Sequence, residues 1–328
     1  MIARRTFLKA LAGSAAAYPM VGRAQTQAMP VVAILNTASP EAWADRTRAF
    51  RQGLSETGHV EGHNVAIEYH PALDQYDRTA AALIADLVRR QVSVIAVGGI
   101  PSALAAKAAT TTVPIVFQVG GDPVELGLVA SLNRPGGNLT GVSNLGMEVG
   151  PKRLELVHEV VPTATLVGLL VNPTNLNAET LIKDHTAAAR ILGLQLDVVQ
   201  ASTERDLDAA FVTLSQRRVG ALVVGNDGFL NRRSEQIAAL ALRHGVPTIY
   251  QYYDFALAGG LMSYGGSIID IYRLTGVYAG RILKGEKPAD LPVQQATKIE
   301  LIINMKSAKT LGLTIPISLL GRADQVIE

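Results

Sequence analysis

The feature that most constrains this chain is an internal duplication of one α/β unit. Residues 92–118 run from Val-Ser-Val-Ile-Ala-Val-Gly-Gly through an alanine-rich stretch to Val-Pro-Ile-Val-Phe-Gln. Residues 219–251 run from Val-Gly-Ala-Leu-Val-Val-Gly-Asn through a second helical stretch to Val-Pro-Thr-Ile-Tyr-Gln. The spacing inside the two copies is not constant, so the duplication indicates two similar lobes and not a solenoid. A cleft between two lobes is a common place to hold a small molecule.

Strand and helix patterns alternate along the chain after residue 30. Apolar runs such as Val31–Leu35, Val92–Val97 and Ala221–Val224 are typical of parallel strands buried on both faces. Helical stretches of ten or more residues, among them Ile268–Leu283, separate these runs. Because right-handed crossovers place helices on both faces of such a sheet, the pattern predicts two doubly wound, parallel-sheet α/β lobes.

The same pattern divides the chain into a leader and two lobes joined by a hinge. We expect a signal peptide over 1–24, a first lobe over 30–147 plus about 268–298, and a second lobe over 148–267 plus about 299–328. Helices over Pro151–Val161 and Ile268–Leu283 are expected to carry the chain between the lobes. A tail that ends in strand and helix predicts a third crossing.

Three single elements are predicted with definite bounds. Asp122-Pro123 is expected to cap a helix, Arg232–His244 is expected to form one helix, and Thr297–Asn304 is expected to form one strand.

The first 24 residues have the three parts of an export signal. Arg4-Arg5 is the charged region, Phe7–Val21 is a small-residue apolar region too short to span a bilayer, and Gly22-Arg23-Ala24 fits a cleavage site. The run that begins at Arg4-Arg5 resembles a twin-arginine motif. We expect export to the periplasm as a soluble protein, with no lipid anchor and no membrane insertion after cleavage.

Charge and composition exclude several classes of function. Residues 1–24 hold four of the 30 basic residues and no acid, so the remainder carries 26 basic against 28 acidic residues, or −2, and no basic patch for nucleic acid. The chain has no cysteine, which excludes thiolate catalysis and Cys-zinc sites. Glycine-rich dinucleotide and phosphate loops, His-Glu-x-x-His and Gly-x-Ser-x-Gly are missing. We therefore expect no catalytic residue, no metal and no cofactor.

The candidate binding residues follow from one rule: ligands of open α/β sheets bind beyond the carboxyl ends of the strands. The loops at those ends are rich in Ser, Thr, Asn, Asp and Gly, which are hydrogen-bonding residues rather than acid–base residues. The candidates are Asn36, Ser39, Ser102, Asp122, Asn172, Asn175, Asn226, Asp227, Tyr252 and Tyr264.

Each candidate has a structural alternative. Helix N-termini at Ser39, Ser102 and Asp122 could hold a carboxylate, yet these residue types cap helices in any α/β protein. Asp227 or Asp254 could hold an ammonium group, although Asn226-Asp227-Gly228 also reads as a plain turn. The tyrosines could wall an apolar or aromatic side chain.

Several longer segments resemble a known family. They include Gly121-Asp122-Pro123-Val124, Leu-Asn-Arg-Pro-Gly-Gly-Asn over 132–138, and Gly-Gly-Leu-Met-Ser-Tyr-Gly over 259–265. With these segments the chain resembles the ABC transporter substrate-binding proteins, whose members include tryptophan- and other aromatic amino-acid-binding proteins. The resemblance implies the type I periplasmic-binding-protein fold, with two lobes, three hinge strands and closure on the ligand, and delivery of the ligand to a membrane permease and its ATPase.

The sequence therefore predicts a periplasmic solute-binding protein for an amino acid or a related small carboxylate or amide. Two other classes stay open: a secreted α/β enzyme, and a sensory module that presents a ligand to a membrane receptor. A sugar ligand is less favoured, since Trp43 is the only tryptophan available for stacking.

Overall fold

The structure is a computed structural model that describes residues 29–36, 40–71, 76–144, 146 and 148–328. The predicted signal peptide lies outside the described residues. Among the described residues, no helix combines the length and the apolar character needed to cross a membrane.

The first half of the chain forms a parallel sheet with helices on both faces. With the short strand β11 (Gln294–Ala296) added from near the end of the chain, its strands lie in the order β11-β5-β4-β3-β1-β2. The elements up to the first crossing are β1 (Val31–Asn36), α1 (Pro40–Glu56), β2 (Ala66–Pro71), α2 (Tyr76–Arg89), β3 (Val94–Gly98), α3 (Ile100–Ala109), β4 (Ile115–Val119) and β5 (Leu139–Asn144).

The second half repeats this order in a sheet arranged as β13-β12-β10-β9-β8-β6-β7. Its first elements are α4 (Gly150–Val160), β6 (Leu166–Val171), α5 (Ala178–Ile191), β7 (Gln195–Gln200), α6 (Glu204–Gln216), β8 (Ala221–Val224), α7 (Gly228–Arg232), α8 (Ser234–Arg243), β9 (Thr248–Tyr250), α9 (Tyr253–Leu257) and β10 (Met262–Gly266). The chain ends with α10 (Ile268–Leu283), a 3-10 turn (Pro288–Asp290), β11 (Gln294–Ala296), β12 (Ile299–Asn304), α11 (Met305–Thr310), α12 (Ile317–Leu320) and β13 (Gln325–Ile327).

We call the first sheet with α1–α3 and α10 the first lobe, and the second sheet with α4–α9, α11 and α12 the second lobe. Each sheet is buried on both faces because successive strand residues point to opposite sides. On β1, Val32 and Ile34 join the core beneath α1 and α10, whereas Ala33 and Leu35 join the core beneath α2 and α3. The predicted pair of α/β lobes is confirmed.

The chain passes between the two sheets at three places: from β5 to α4, from β10 to α10, and from β11 to β12. Arg153 on α4 ties the first two passages together. Its Nε donates to the Tyr264 carbonyl at 2.8 Å and its Nη2 donates to the Gly146 carbonyl at 2.6 Å. Burial without an acidic partner lowers the pKa of Arg153 to about 10. The lobe boundaries at residues 147, 267 and 298 stay a prediction.

Several predicted elements are wrong in detail. No helix follows Asp122-Pro123: the segment forms successive turns, and Gly127 with φ 66° takes the backbone out of helical geometry. The helix predicted over Arg232–His244 is confirmed as α8, which starts two residues later and ends one residue earlier; the short α7 before it was not predicted, and Arg233, with φ −98° and ψ 19°, separates the two helices.

The strand predicted over Thr297–Asn304 is also wrong in its bounds. Two short strands, β11 and β12, lie in different sheets, and residues 297–298 carry the third crossing. Because the chain enters the second sheet without a helical crossover, β12 pairs with β10 antiparallel. The second sheet is therefore mostly, not wholly, parallel.

Candidate functional site

A cavity of about 1210 Å³ lies between the lobes at the carboxyl ends of their strands. In both sheets the second strand of the chain lies on one side of the first and the third strand lies on the other side, so the order in which strands are added reverses between β1 and β3 in one lobe and between β6 and β8 in the other. Such reversal points leave a crevice at the sheet edge where ligands bind. The loops that follow β3, β6 and β8 line the cavity.

The second-lobe wall is built around the carboxylate of Asp227. Its Oδ1 accepts from Asn172 Nδ2 at 3.2 Å and from the Leu230 backbone N–H at 3.0 Å, while its Oδ2 accepts from Asn175 Nδ2 at 3.0 Å. Asp227 is thus the N-cap of α7 and also the centre of an amide cluster. A carboxylate offers about four acceptor positions, so one position on Oδ2 is left for a further donor.

A second pair of amides lies beside this cluster. Gln251 Nε2 donates to Asn226 Oδ1 at 2.6 Å, which directs Asn226 Nδ2 toward Gly120 of the first lobe. Gln251 Oε1 is buried and has no hydrogen-bond partner among the described residues. A buried acceptor without a partner is costly, so this oxygen is suited to a ligand N–H group.

The first-lobe wall consists mainly of backbone. Gly98 and Gly99 end β3 and begin α3, and Gly99 has φ 89° and ψ 153°, a conformation that is essentially confined to glycine. Gln118 and Gly120 line the cavity at the end of β4. This wall brings peptide groups close to the cavity and adds few side chains.

Apolar and aromatic residues form the floor of the cavity, where the lobes join. Ile268, Ile271 and Tyr272 come from α10, and Tyr252 follows β9. Burial raises the pKa of Tyr252, so its hydroxyl stays neutral, and that hydroxyl accepts from Asn144 Nδ2 at 3.2 Å. Arg46 of α1 also lines the cavity and pairs with Asp254.

The structure brings together five of the ten residues named from the sequence: Asn172, Asn175, Asn226, Asp227 and Tyr252 line the cavity. Ser102 is buried in the first turn of α3, Asp122 is exposed and caps the turn at Val124, and Tyr264 packs into the second-lobe core; none of these three is a lining residue. Ser39 lies outside the described residues, and Asn36 is described only as the last residue of β1.

Sequence reasoning missed several lining residues. Gln118 and Gln251 end the repeated Val-Pro strands at equivalent positions, so the duplication itself carried a signal for both. Arg46 gave no such signal because it lies in a charged helix like many surface arginines. The group of described residues contains no cluster of three or more His, Asp or Glu side chains placed to bind a metal.

Comparisons with known proteins agree with this geometry. The family model described as ABC transporter substrate binding protein matches residues 31–327. A tyrosine-binding protein of Clostridioides difficile (strain R20291) is 27% identical over 267 residues, which cover 81% of this chain and 76% of that protein.

Two solved structures are similar over 91% of this chain and 99% of their own. One is an ABC domain in complex with L-Trp from Streptococcus pneumonia, 26% identical with a TM-score of 0.82. The other is a conserved domain protein from Vibrio cholerae O1 biovar El Tor, 28% identical with a TM-score of 0.83.

Proposed function

Because the chain belongs to the ABC transporter substrate binding protein family, we propose that it captures an amino acid in the inter-lobe cavity and delivers it to an ABC permease and its ATPase. The observation that carries the choice of ligand is the carboxylate of Asp227, which stands among amides with an open acceptor position. An ammonium group fits that position, since a charge-assisted hydrogen bond is stronger than a neutral one.

The rest of an amino acid finds matching groups in the same cavity. The N-terminus of α3, where Ile100 lines the cavity, is suited to the ligand carboxylate, because the first N–H groups of a helix have no intrahelical acceptor and the helix dipole favours an anion there. The floor of Tyr252, Tyr272 and Ile271 is suited to an aromatic side chain. Aromatic ligands are also named for a relative that binds tyrosine and for a similar structure in complex with L-Trp.

Binding is proposed to shift an equilibrium between open and closed lobes. A ligand held by Asp227 from one lobe and by the N-terminus of α3 from the other contacts both walls only when the lobes are close. We assign the chain no catalytic step.

The leader over 1–24 is proposed to direct the protein to the periplasm. Replacement of Arg4 and Arg5 by lysine should then retain the protein in the cytoplasmic fraction.

Isothermal titration calorimetry tests the ligand. L-tyrosine, L-tryptophan and L-phenylalanine are titrated beside two analogues of tyrosine: tyramine, which lacks the carboxylate, and 4-hydroxyphenylpropionate, which lacks the amine. We expect one or more of the amino acids to bind with a Kd near micromolar, or about −8 kcal/mol, and both analogues to bind far more weakly. Binding of no amino acid would contradict the proposed ligand class.

The same titration tests Asp227. Asp227→Ala and Asp227→Asn should each weaken amino-acid binding at least tenfold, because both remove the charge that faces the ammonium group. Asp208→Asn, an exposed substitution on α6, is the matched control and should bind as the wild type does. Unchanged affinity in the Asp227 variants would remove this residue from the site.

A further inference from the structure

A buried ion pair joins the two lobes at the floor of the cavity. Arg46 lies on α1, which packs against α10 of the first lobe, and its Nη2 donates to Asp254 Oδ2 on α9. The carbonyl of Ala256 on α9 accepts from Asn304 Nδ2 of the second lobe at 2.9 Å, so α9 is fastened to that lobe. The side chains are 3% and 15% exposed, so water screens this pair far less than a surface pair.

The surroundings of Arg46 make Asp254 its principal partner. Its guanidinium lies 5.8 Å from the centre of the Tyr272 ring, and its Nε is buried with no hydrogen-bond partner among the described residues. Burial lowers the pKa of Arg46, but the Asp254 carboxylate together with Tyr272 and Tyr252 more than offsets this effect, so the net shift is upward. Separating the pair without hydration would leave two buried charges uncompensated.

Two further polar contacts between the lobes lie beside the pair. Tyr253 Oη donates to Asp45 Oδ2 at 3.5 Å, and Asn144 Nδ2 donates to Tyr252 Oη at 3.2 Å. The first contact joins the chain neighbours of the pair, since Tyr253 precedes Asp254 and Asp45 precedes Arg46. The second joins Tyr252 of the cavity floor to the first lobe. These hydrogen bonds and the ion pair therefore join the lobes in one layer, beneath the ligand cavity.

We propose that Arg46 and Asp254 form a latch that closes with the lobes and stabilises the closed state for any ligand. This inference rests on the proposed function, because it concerns the closure that ligand binding drives. The two side chains are positioning residues: they raise the closed population and so lower the apparent Kd without selecting among ligands. Opening the cavity separates them and exposes both to water.

A double-mutant cycle on binding tests the latch. Arg46→Gln and Asp254→Asn are expected to raise the Kd for L-tyrosine and for L-tryptophan by the same factor of about ten or more, mainly through faster dissociation. The double variant should bind more tightly than the sum of the single effects implies, because it leaves no uncompensated charge. Arg46→Lys, which keeps the cation, should restore part of the affinity.

Two outcomes of the cycle would overturn the latch. A Kd that is unchanged in the single variants means that the pair does not distinguish closed from open lobes. A loss that differs strongly between the two amino acids means that Arg46 contacts the ligand itself. If a single variant fails to fold, the double variant, which buries no lone charge, is compared directly with the wild type.

A second measurement needs no ligand and therefore separates failure of the latch from failure of the proposed function. Since the chain has no cysteine, Glu125→Cys and Asp208→Cys place one spin label on each lobe. The distance distribution of the double Arg46→Gln, Asp254→Asn variant should shift toward longer distances. The matched control removes an ion pair inside the second lobe, Arg217→Gln with Asp197→Asn, and should leave the distribution unchanged. Identical distributions in all three proteins would refute the latch.

Discussion

In each lobe one helix comes directly after the chain has crossed from the other lobe: α10 in the first lobe and α4 in the second. These two helices pack differently. In the first lobe, α10 lies on α1 through glycines: a Cβ on Gly53 would overlap the Arg273 carbonyl, and a Cβ on Gly276 would overlap the Phe50 carbonyl. In the second lobe, α4 meets α5 through Gly150 and the ring of His185, whose Cε1 would lie 2.7 Å from a Cβ on Gly150. The first contact is backbone on backbone, and the second is backbone on a side chain that can titrate.

The largest effect is expected where the first contact is broken. Gly276→Ala should lower the free energy of unfolding by roughly 3 kcal/mol or more, because neither backbone can move away from the added methyl group without separating α1 from α10. Urea unfolding measures the change. Gly137→Ala, at a surface position where no described atom lies within 4 Å of the new Cβ, is the control and should change little. Equal stability of the two variants would show that the helices are not so close.

The contact of the second lobe should depend on pH. Burial lowers the pKa of His185 to about 4, and its Nδ1 faces the Leu181 carbonyl at 2.8 Å. The unfolded chain, with a His pKa of about 6.5, binds more protons between these values, so the free energy of unfolding should fall as pH falls from 6.5 toward 4. The expected loss is about 1.4 kcal/mol per pH unit, or about 3 kcal/mol in all.

Urea unfolding at pH 7, 6, 5 and 4.5 tests this dependence with His185→Gln. The variant should lose less stability than the wild type over this range, while His63→Gln, at an exposed position, should follow the wild type. Parallel curves for the wild type and His185→Gln would mean that His185 is already accessible to protons in the folded protein.

The two walls of the cavity show the same difference as the helix contacts: backbone in the first lobe and side chains in the second. The first lobe brings backbone, at Gly98, Gly99 and Gly120, whereas the second lobe brings the side chains of Asn226 and Asp227. The Asn226 side chain of the second lobe thus approaches the first lobe at Gly120, which has no side chain. A methyl group added to the first wall should therefore act as a spacer between the lobes.

Gly120→Ala tests that spacer effect and should weaken ligand binding about tenfold, or about 1.4 kcal/mol. Its Cβ would lie 2.5 Å from Asn226 Nδ2 and 3.1 Å from Asn144 Oδ1, so either the lobes stay further apart or Asn226 moves and strains its hydrogen bond with Gln251. Calorimetry measures the loss, and Gly137→Ala again serves as the control. Wild-type affinity in Gly120→Ala would contradict closure at this contact.

The smallest effect is expected at Asp122, which sequence reasoning placed in the site. Its Oδ1 accepts from the Val124 backbone N–H at 2.7 Å, and it is not a lining residue. Asp122→Ala should leave the Kd unchanged within about twofold and lower the free energy of unfolding by roughly 1 kcal/mol, as loss of a cap does. A large loss of affinity would instead return Asp122 to the site.

The sequence alone determined the alternation of strands and helices, the two lobes and the family. These properties follow from local periodicity and from repeated segments, which is why β8 and α10 have the bounds predicted for them. The loops at the strand ends were also readable, because the carboxyl ends of parallel strands meet at one edge. Asn172, Asn175, Asn226, Asp227 and Tyr252, which were named in this way, line the cavity; their role in binding stays a prediction.

Only the tertiary structure decided which loop residues face the cavity and which residues meet across it. Ser102 follows a strand as the rule requires, but the rotation of α3 turns its side chain into the core. Arg46 and Asp254 are 208 residues apart, and their contact depends on how the two lobes are stacked. The local sequence pattern indicates whether a residue is buried. It does not indicate which residue it contacts, because that depends on how helices and strands distant in sequence pack together.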